Sequence, residues 1–307
     1  MGPGSRRRLA AERAAPVTWA PVARRTGSTR EKLLGAVLVL PAVALALVVV
    51  GGGVGATALQ AFGLLPVVGR PRPGTGAFTA RPGELFAAIG VSLSVAVVAT
   101  AVAVVVGTTA AVVIVSRTRS SRAVATLGTL TVTIPHLIAA ATVGLLLSDA
   151  GVLPRLLRIS PDDWAPWVGG PLWGAAIVEL AWKESAFIAL IVTGTLATRI
   201  QTYDETAALL GAGRAQRFRH VLLPLTAPTI VIGAAISFVY ALGSYEVLWL
   251  LGRTSPEPLP VLAVRLFQGV SLDARNEAAA VALVTCVLAL GAVALTFAAL
   301  RRTATWR

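Results

Sequence analysis

Long apolar runs alternate with short polar ones along the 307 residues of this chain. The first covers about 33–51, LLGAVLVLPAVALALVVVG, with Pro41 inside it. Others fall at about 85–115, 123–147 and 172–196, from just after Pro224 to Leu251, and at 278–300. A helix needs roughly 20 such residues to cross the hydrocarbon core of a bilayer, and these runs approach or exceed that length. An outer-membrane barrel would instead show alternating segments of about ten residues. The pattern therefore predicts an all-α integral membrane protein with about six transmembrane helices. Between them lie a Gly/Pro-rich loop, GRPRPGTGAFTARPGE, and a basic turn, SRTRSSR. The segments 148–171, with tryptophans suited to the headgroup boundary, and 252–277 read as further loops.

Composition sharpens this picture. Apolar residues make up 56% of the chain and charged residues 13%, against roughly 25% in ordinary soluble domains. The net charge of +13 is distributed as in a membrane protein rather than a nucleic-acid binder: Arg6, Arg7, Arg8, Arg13, Arg24, Arg25, Arg30 and Lys32 form an arm over 1–32. With both ends inside, the inner segments hold 18 Lys and Arg and the outer loops 8, an asymmetry that predicts an N-in, C-in topology. The sequence Ala44-Leu45-Ala46 resembles a cleavage site, but the apolar run continues past it, so an uncleaved anchor is expected. The expected organisation is a cytoplasmic arm over 1–32, a membrane domain over 33–300 and a cytoplasmic tail over 301–307. The single cysteine, Cys286, excludes an internal disulfide, and two histidines are too few for a metal enzyme.

One segment breaks the apolar pattern on the predicted cytoplasmic side: ETAALLGAGRAQRFRHVLLP, residues 205–224. Thr202 to Glu205 has the Thr-x-x-Glu form of a capping box, and TAALL then propagates helix well. Gly211 to Gly213 offers a sharp turn. RAQRFRHV forms a second short helical piece, and Pro224 suits the first turn of the next span. Ala207, Ala208, Leu209 and Leu210 gain little by facing water, so the segment reads as a helix made to lie in a groove of another protein.

This segment resembles the EAA loop of the membrane subunits of binding-protein-dependent ABC importers. Glu205 supplies the acid, Ala207 the second alanine and Gly211 the glycine; after nine intervening residues Val221, Leu223 and Pro224 close the pattern. Thr206 stands for the first alanine and Val221 for an isoleucine. The resemblance implies a type I ABC importer permease fold in the bacterial cytoplasmic (inner) membrane, with a coupling loop at about 197–224. It implies that Glu205, Ala207, Ala208 and Gly211 seat the loop in a separate ATPase subunit, with Arg214 and Arg217 meeting acidic partner surface or membrane lipid. The implied partners are two ATPase subunits that bind ATP and Mg, a second permease, identical or a sister chain, and an extracytoplasmic solute-binding protein. The chain has no GxxxxGK[ST] loop of its own, so neither a cofactor nor a catalytic residue is expected in it.

Polar groups within spans are costly and face a cavity or one another. Glu179 and Lys183 stand four apart, a spacing that suits an ion pair, with Glu184 beside them. Ser237, Tyr240 and Ser244 follow at helical steps, with Glu246 beyond. Lys183, Glu184, Ser237, Tyr240, Ser244 and Glu246 are the candidate pathway residues; His136 reads as a packing or hydrogen-bonding group. Three in-span glutamates against one lysine point to a cation, and ALGSYEVLWLLG resembles permeases for polyamines, ferric iron or thiamine. WKESAFIAL resembles sugar permeases, the second choice. An ion- or proton-coupled secondary transporter is the alternative class; it would have no use for the docking loop.

Overall fold

A computed structural model describes residues 29–304 except Val68 and Arg117; the side chains of a few helical residues, Glu205 and Arg214 among them, lie outside the described set. The expected arm therefore falls outside it up to residue 28. The chain divides into two units, Met1–Gly53 and Val54–Arg307. In the first, α1 (Thr29–Ala46) contains Pro41 and ends in a π turn over Leu47–Gly51. The helix passes through the cleavage-like residues 44–46 without interruption.

The second unit is built of helices throughout. Its opening stretch belongs to α2 (Gly52–Ala61), followed by the short α3 (Gly76–Thr79) and the long α4 (Pro82–Val115). Next come α5 (Arg119–Thr133) and α6 (His136–Leu147), then α7 (Val152–Leu157). The central element is α8 (Gly174–Leu209), 36 residues long. After a turn, α9 (Arg214–Arg217) leads through a π turn at Phe218–Leu222 into α10 (Leu223–Gly243). The remainder is α11 (Tyr245–Leu251), α12 (Leu259–Gln268) and α13 (Ala274–Ala304).

Five helices among the described residues are long and apolar enough to cross a membrane: Ala36–Ala61, Pro82–Val115, His136–Leu157, Ala215–Gly243 and Ala274–Arg302. The helix α8 occupies the fourth expected run and carries Glu179, Lys183 and Glu184 within it.

Two expected spans are interrupted. The run at 123–147 breaks between α5 and α6, where Ile134 is extended ahead of Pro135; proline clashes with a helical conformation at the residue before it. The last run before the 252–277 loop breaks at Ser244, also extended, after Gly243. Gly-Ser is a weak helix pair, and serine is more at home at a helix start. The serine thus lies past the end of α10, off the helical face that carries Ser237 and Tyr240.

The core forms where α8 packs against α4, α5 and α10. Small residues allow close approach there, Ala96, Ala99, Ala103, Ala175 and Ala176 all being buried. Gly107 is the tightest point: a Cβ on it would sit 2.5 Å from the Ser185 carbonyl oxygen. Without a hydrophobic driving force between helices in lipid, such close packing carries much of the association. The two segments read as loops also fold. The 148–171 stretch holds α7 and buries part of Trp164, whose Nε1 donates to the Leu147 carbonyl at 2.8 Å. Trp173, just past that loop, lies buried in one cluster with Leu180 and Leu251. The 252–277 stretch contains α12, whose Leu259, Leu262 and Leu266 pack on Ala88 and Val281.

Candidate functional site

Two places carry the candidate residues. The first is the turn between α8 and α9. No helix begins at Thr202–Glu205: α8 runs unbroken to Leu209, so the expected capping box has no N-terminus to cap. Nothing in TLATRIQTYDETAALL, residues 195–210, stops a helix, since it contains neither Gly nor Pro. The stop comes at Gly211, with φ +82°. Its N–H donates to the Ala208 carbonyl and the Ala212 N–H to the Ala207 carbonyl, both at 3.0 Å. This pair is a Schellman cap with glycine in its left-handed position. The spacing from Ala207 and Ala208 to Gly211 is thus the spacing that this helix end requires.

The turn presents apolar surface. Leu209 is 89% exposed and Leu210 83%, with Tyr203 and Ala208 exposed on the same helix end. Beyond it, the Gly213 N–H donates to Gln216 Oε1 at 3.4 Å, half of a reciprocal cap for α9. Arg217 and Val221 are half-buried, Leu223 and Pro224 exposed. Pro224 stands in the first turn of α10, but that helix continues from α9 through the π turn, where the Leu223 N–H reaches the Phe218 carbonyl. The widened turn takes up the loss of the proline N–H. The side chains of Glu205 and Arg214 lie outside the described residues.

The second place is a polar cluster in the first third of α8. Lys183 is buried, yet among the described residues it makes no ion pair with Glu179 or Glu184. Its Nζ instead donates to the Thr131 carbonyl at 2.6 Å and to the Ile134 carbonyl. Both carbonyls stand at the C-terminal end of α5, the first also accepting the Ile134 N–H, and the helix dipole there favours a cation. Glu179 Oε1 is 3.2 Å from His136 Nδ1, at the first residue of α6. Its Oε2 is buried with no hydrogen-bond partner among the described residues. Glu184 accepts a hydrogen bond from Ser237 Oγ of α10 at 2.6 Å and lies 3.9 Å from His136 Nε2.

Tyr240 lies one turn beyond Ser237, its ring centroid 4.5 Å from that of His136, and it is 37% exposed. Glu246 is exposed in the first turn of α11, and Ser244 is buried at the break. His136 thus joins a cluster whose other members come from residues 179 to 240. Sequence spacing along one helix shows Glu179, Lys183 and Glu184 as neighbours; nothing local in the sequence signals a histidine 43 residues away.

A third group was not visible in the sequence. Arg81 bonds Glu277 at 2.7 Å and Glu84 at 3.2 Å, while Arg265 bonds Glu84 and Glu257 at 2.6 Å each. These pairs tie α4, α12 and α13 together opposite the Gly211 end. Glu277, and then Glu84, hold the Arg81 guanidinium above its ordinary range.

A family model described as the binding-protein-dependent transport system inner membrane component matches residues 103–301. The chain belongs to that family. Both places described above lie inside the matched region.

Among curated relatives, the sulfoquinovosyl glycerol transport system permease protein of Agrobacterium fabrum is 29% identical over 110 residues, covering 35% of this chain and 36% of that protein. The trehalose/maltose transport system permease protein of Thermococcus litoralis is 25% identical over 138 residues, covering 44% and 46%. The sulfate transport system permease protein of Salmonella typhimurium is 30% identical over 117 residues, covering 38% and 42%. Each match thus spans less than half the length of the relative. A bacterial ABC transporter involved in importing the acidic polysaccharide alginate superposes with a TM-score of 0.69 over 89% of this chain and 96% of its own, at 23% identity. A methionine ABC transporter in inward-facing form gives 0.58 over 73% and 98%, at 18%. At these identities the structures establish the fold, an importer-permease arrangement of membrane helices.

Proposed function

We propose that this chain is the permease subunit of an ATP-driven importer, coupled to a separate ATPase through the turn at Gly211. The observation that carries this reading is the exposed apolar helix end, Leu209 and Leu210, closed by the Schellman cap and continuous with a helix that reaches the buried polar cluster. A chain with no phosphate-binding loop needs such a contact to receive work from ATP. The proposed partners are two ATPase subunits carrying ATP and Mg, a second permease, and an extracytoplasmic solute-binding protein. The proposed topology is N-in, C-in with six spans, α8 being the span that carries charge; basic-residue asymmetry supports it.

For the solute, we propose a carbohydrate or similar hydroxylated compound in place of the polyamine or other cation that the in-span glutamates suggested. Two of the three glutamates are already engaged, Glu179 by His136 and Glu184 by Ser237. Both carboxylates are thus tied to neighbouring helices, and among the described residues only Glu246 of the three stands exposed. The relatives' names, with their sugars, sulfate and glycerol derivatives, support the same revision. Tyr240, Ser244 and Glu246 are the proposed pathway residues, with Glu184 and Ser237 behind them and Lys183 turned away toward α5.

The test is purification of the tagged full chain in mild detergent from its own cells. The wild type is expected to retain an ATP-hydrolysing subunit, and Glu205→Lys to lose it while still inserting in the membrane. A wild-type chain that purifies without any ATP-hydrolysing partner would overturn the reading.

A further inference from the structure

The cluster on α8 has a geometry that a solute contact does not require. Three side chains within six residues of α8 reach three different elements. Lys183 bonds the last carbonyls of α5 at the Ile134–Pro135 break. Glu179 meets His136, the first residue of α6 on the far side of that break. Glu184 takes the Ser237 hydroxyl of α10, two turns before that helix ends ahead of Ser244. Glu179, Lys183, Glu184 and Ser237 are all nearly or wholly buried. One unbroken helix therefore grips both sides of one helix break and the approach to the other.

The same helix continues from Glu184 to Leu209 without a break, roughly 38 Å at about 1.5 Å per residue. An uninterrupted helix transmits displacement along its length, whereas an interrupted one bends at the gap. Contacts that hold the gaps to the rod decide whether they follow it. In a low-dielectric interior these contacts are also the ones that resist being broken, since each separated partner would be left unsatisfied.

We propose that Glu179, Lys183 and Glu184 are a clasp, positioning residues through which α8 carries both interrupted helices with it when its Gly211 end is displaced. The clasp rests on the importer reading, because that reading supplies the displacement. Lys183 is then a structural actuator of the pathway and does not touch solute. Its removal uncouples ATP hydrolysis from motion at the breaks.

The experiment uses the full chain with its co-purified ATPase in nanodiscs, in a Cys286→Ala background. A reporter cysteine, Thr133→Cys, stands exposed beside the first break, and its rate of reaction with a maleimide is measured with and without ATP and vanadate. With the clasp intact, trapping changes that rate several-fold. Lys183→Met abolishes the difference while ATP hydrolysis persists, and Lys183→Arg, which keeps a cationic donor, restores it. A purely structural role for Lys183 would lower yield but leave the difference intact in the complexes that assemble.

A Lys183→Met complex showing the wild-type difference overturns the clasp, as does a wild-type complex whose reporter ignores trapping while ATP is hydrolysed. Should Lys183→Met not accumulate, Ser237→Ala with a Gly243→Cys reporter tests the other limb. There the difference is expected to fall at least severalfold, and an unchanged difference overturns the proposal. A wild-type chain that holds no ATPase overturns the importer reading itself, an outcome separable from failure of the clasp.

Discussion

Gly107 and Gly211 show how one residue type serves two physical ends. A Cβ at Gly107 would meet the backbone oxygen of Ser185 at 2.5 Å, so α4 and α8 can approach only because it is absent. At Gly211 there is open space, and the constraint is the left-handed φ of +82°. The two substitutions should therefore separate. Gly107→Val forces the helices apart at about 1–3 kcal/mol, seen as a clear drop in thermal stability of the detergent-solubilised chain. Gly211→Ala strains one turn by about 1–2 kcal/mol, leaving the melting of the membrane body unaltered but loosening retention of the ATPase. Equal melting curves for wild type and Gly107→Val would refute the packing argument. Lys183→Met removes the side-chain donor from the Ile134 carbonyl, while the Thr131 carbonyl keeps the Ile134 N–H, so the loss is about 1–3 kcal/mol for one unsatisfied group. Of these residues, Gly211 was legible in the sequence because its spacing from Ala207 and Ala208 is set by local hydrogen bonding. The destination of Lys183 was not, because its acceptors are backbone atoms 49 and 52 residues away.

At the scale of elements, hydrophobic runs located the helices and local chemistry misplaced some ends. The Thr202–Glu205 signature reads as a helix start, but a capping box acts only where preceding residues leave the helix, and residues 195–201 do not. Conversely, Pro135 and Gly243-Ser244 were swallowed by long apolar runs, since hydropathy measures transfer to lipid and is blind to backbone conformation. The amphipathic α12 was read as loop because its ten residues are too short to span. The presence of two broken helices also means that this feature alone does not separate importer permeases from secondary transporters; the docking turn does. That turn yields an element-level prediction. Leu209→Ser with Leu210→Ser changes two side chains that are more than four-fifths exposed, so stability should move by no more than about 0.5 kcal/mol. Retention of the ATPase should nonetheless fall sharply. Undiminished retention in the double variant would mean that this apolar end is not the contact.

For the molecule as a whole, class and family were readable from the sequence because both rest on signals spread over many residues: apolar runs, charge asymmetry and one twenty-residue motif. The solute was not. In-span glutamates suggest a cation from the sequence, whereas in the fold two of them meet internal partners, His136 and Ser237. Topology follows from the same charge asymmetry and is open to direct test. In the Cys286→Ala background, a membrane-impermeant maleimide applied to intact cells should label Gly74→Cys in the expected outer loop and spare Ala212→Cys at the turn. The reverse pattern would place the turn outside, beyond the reach of any ATPase.

The central claim, that α8 delivers the work of an ATPase to the membrane helices, is tested most directly by a photo-crosslinking side chain placed at Leu210. Irradiation of the purified complex should join this residue to the subunit that also takes up a photoreactive ATP analogue. The yield should change when vanadate traps the nucleotide. Cross-links confined to lipid or to a second copy of this chain, in a preparation that hydrolyses ATP, would contradict the account.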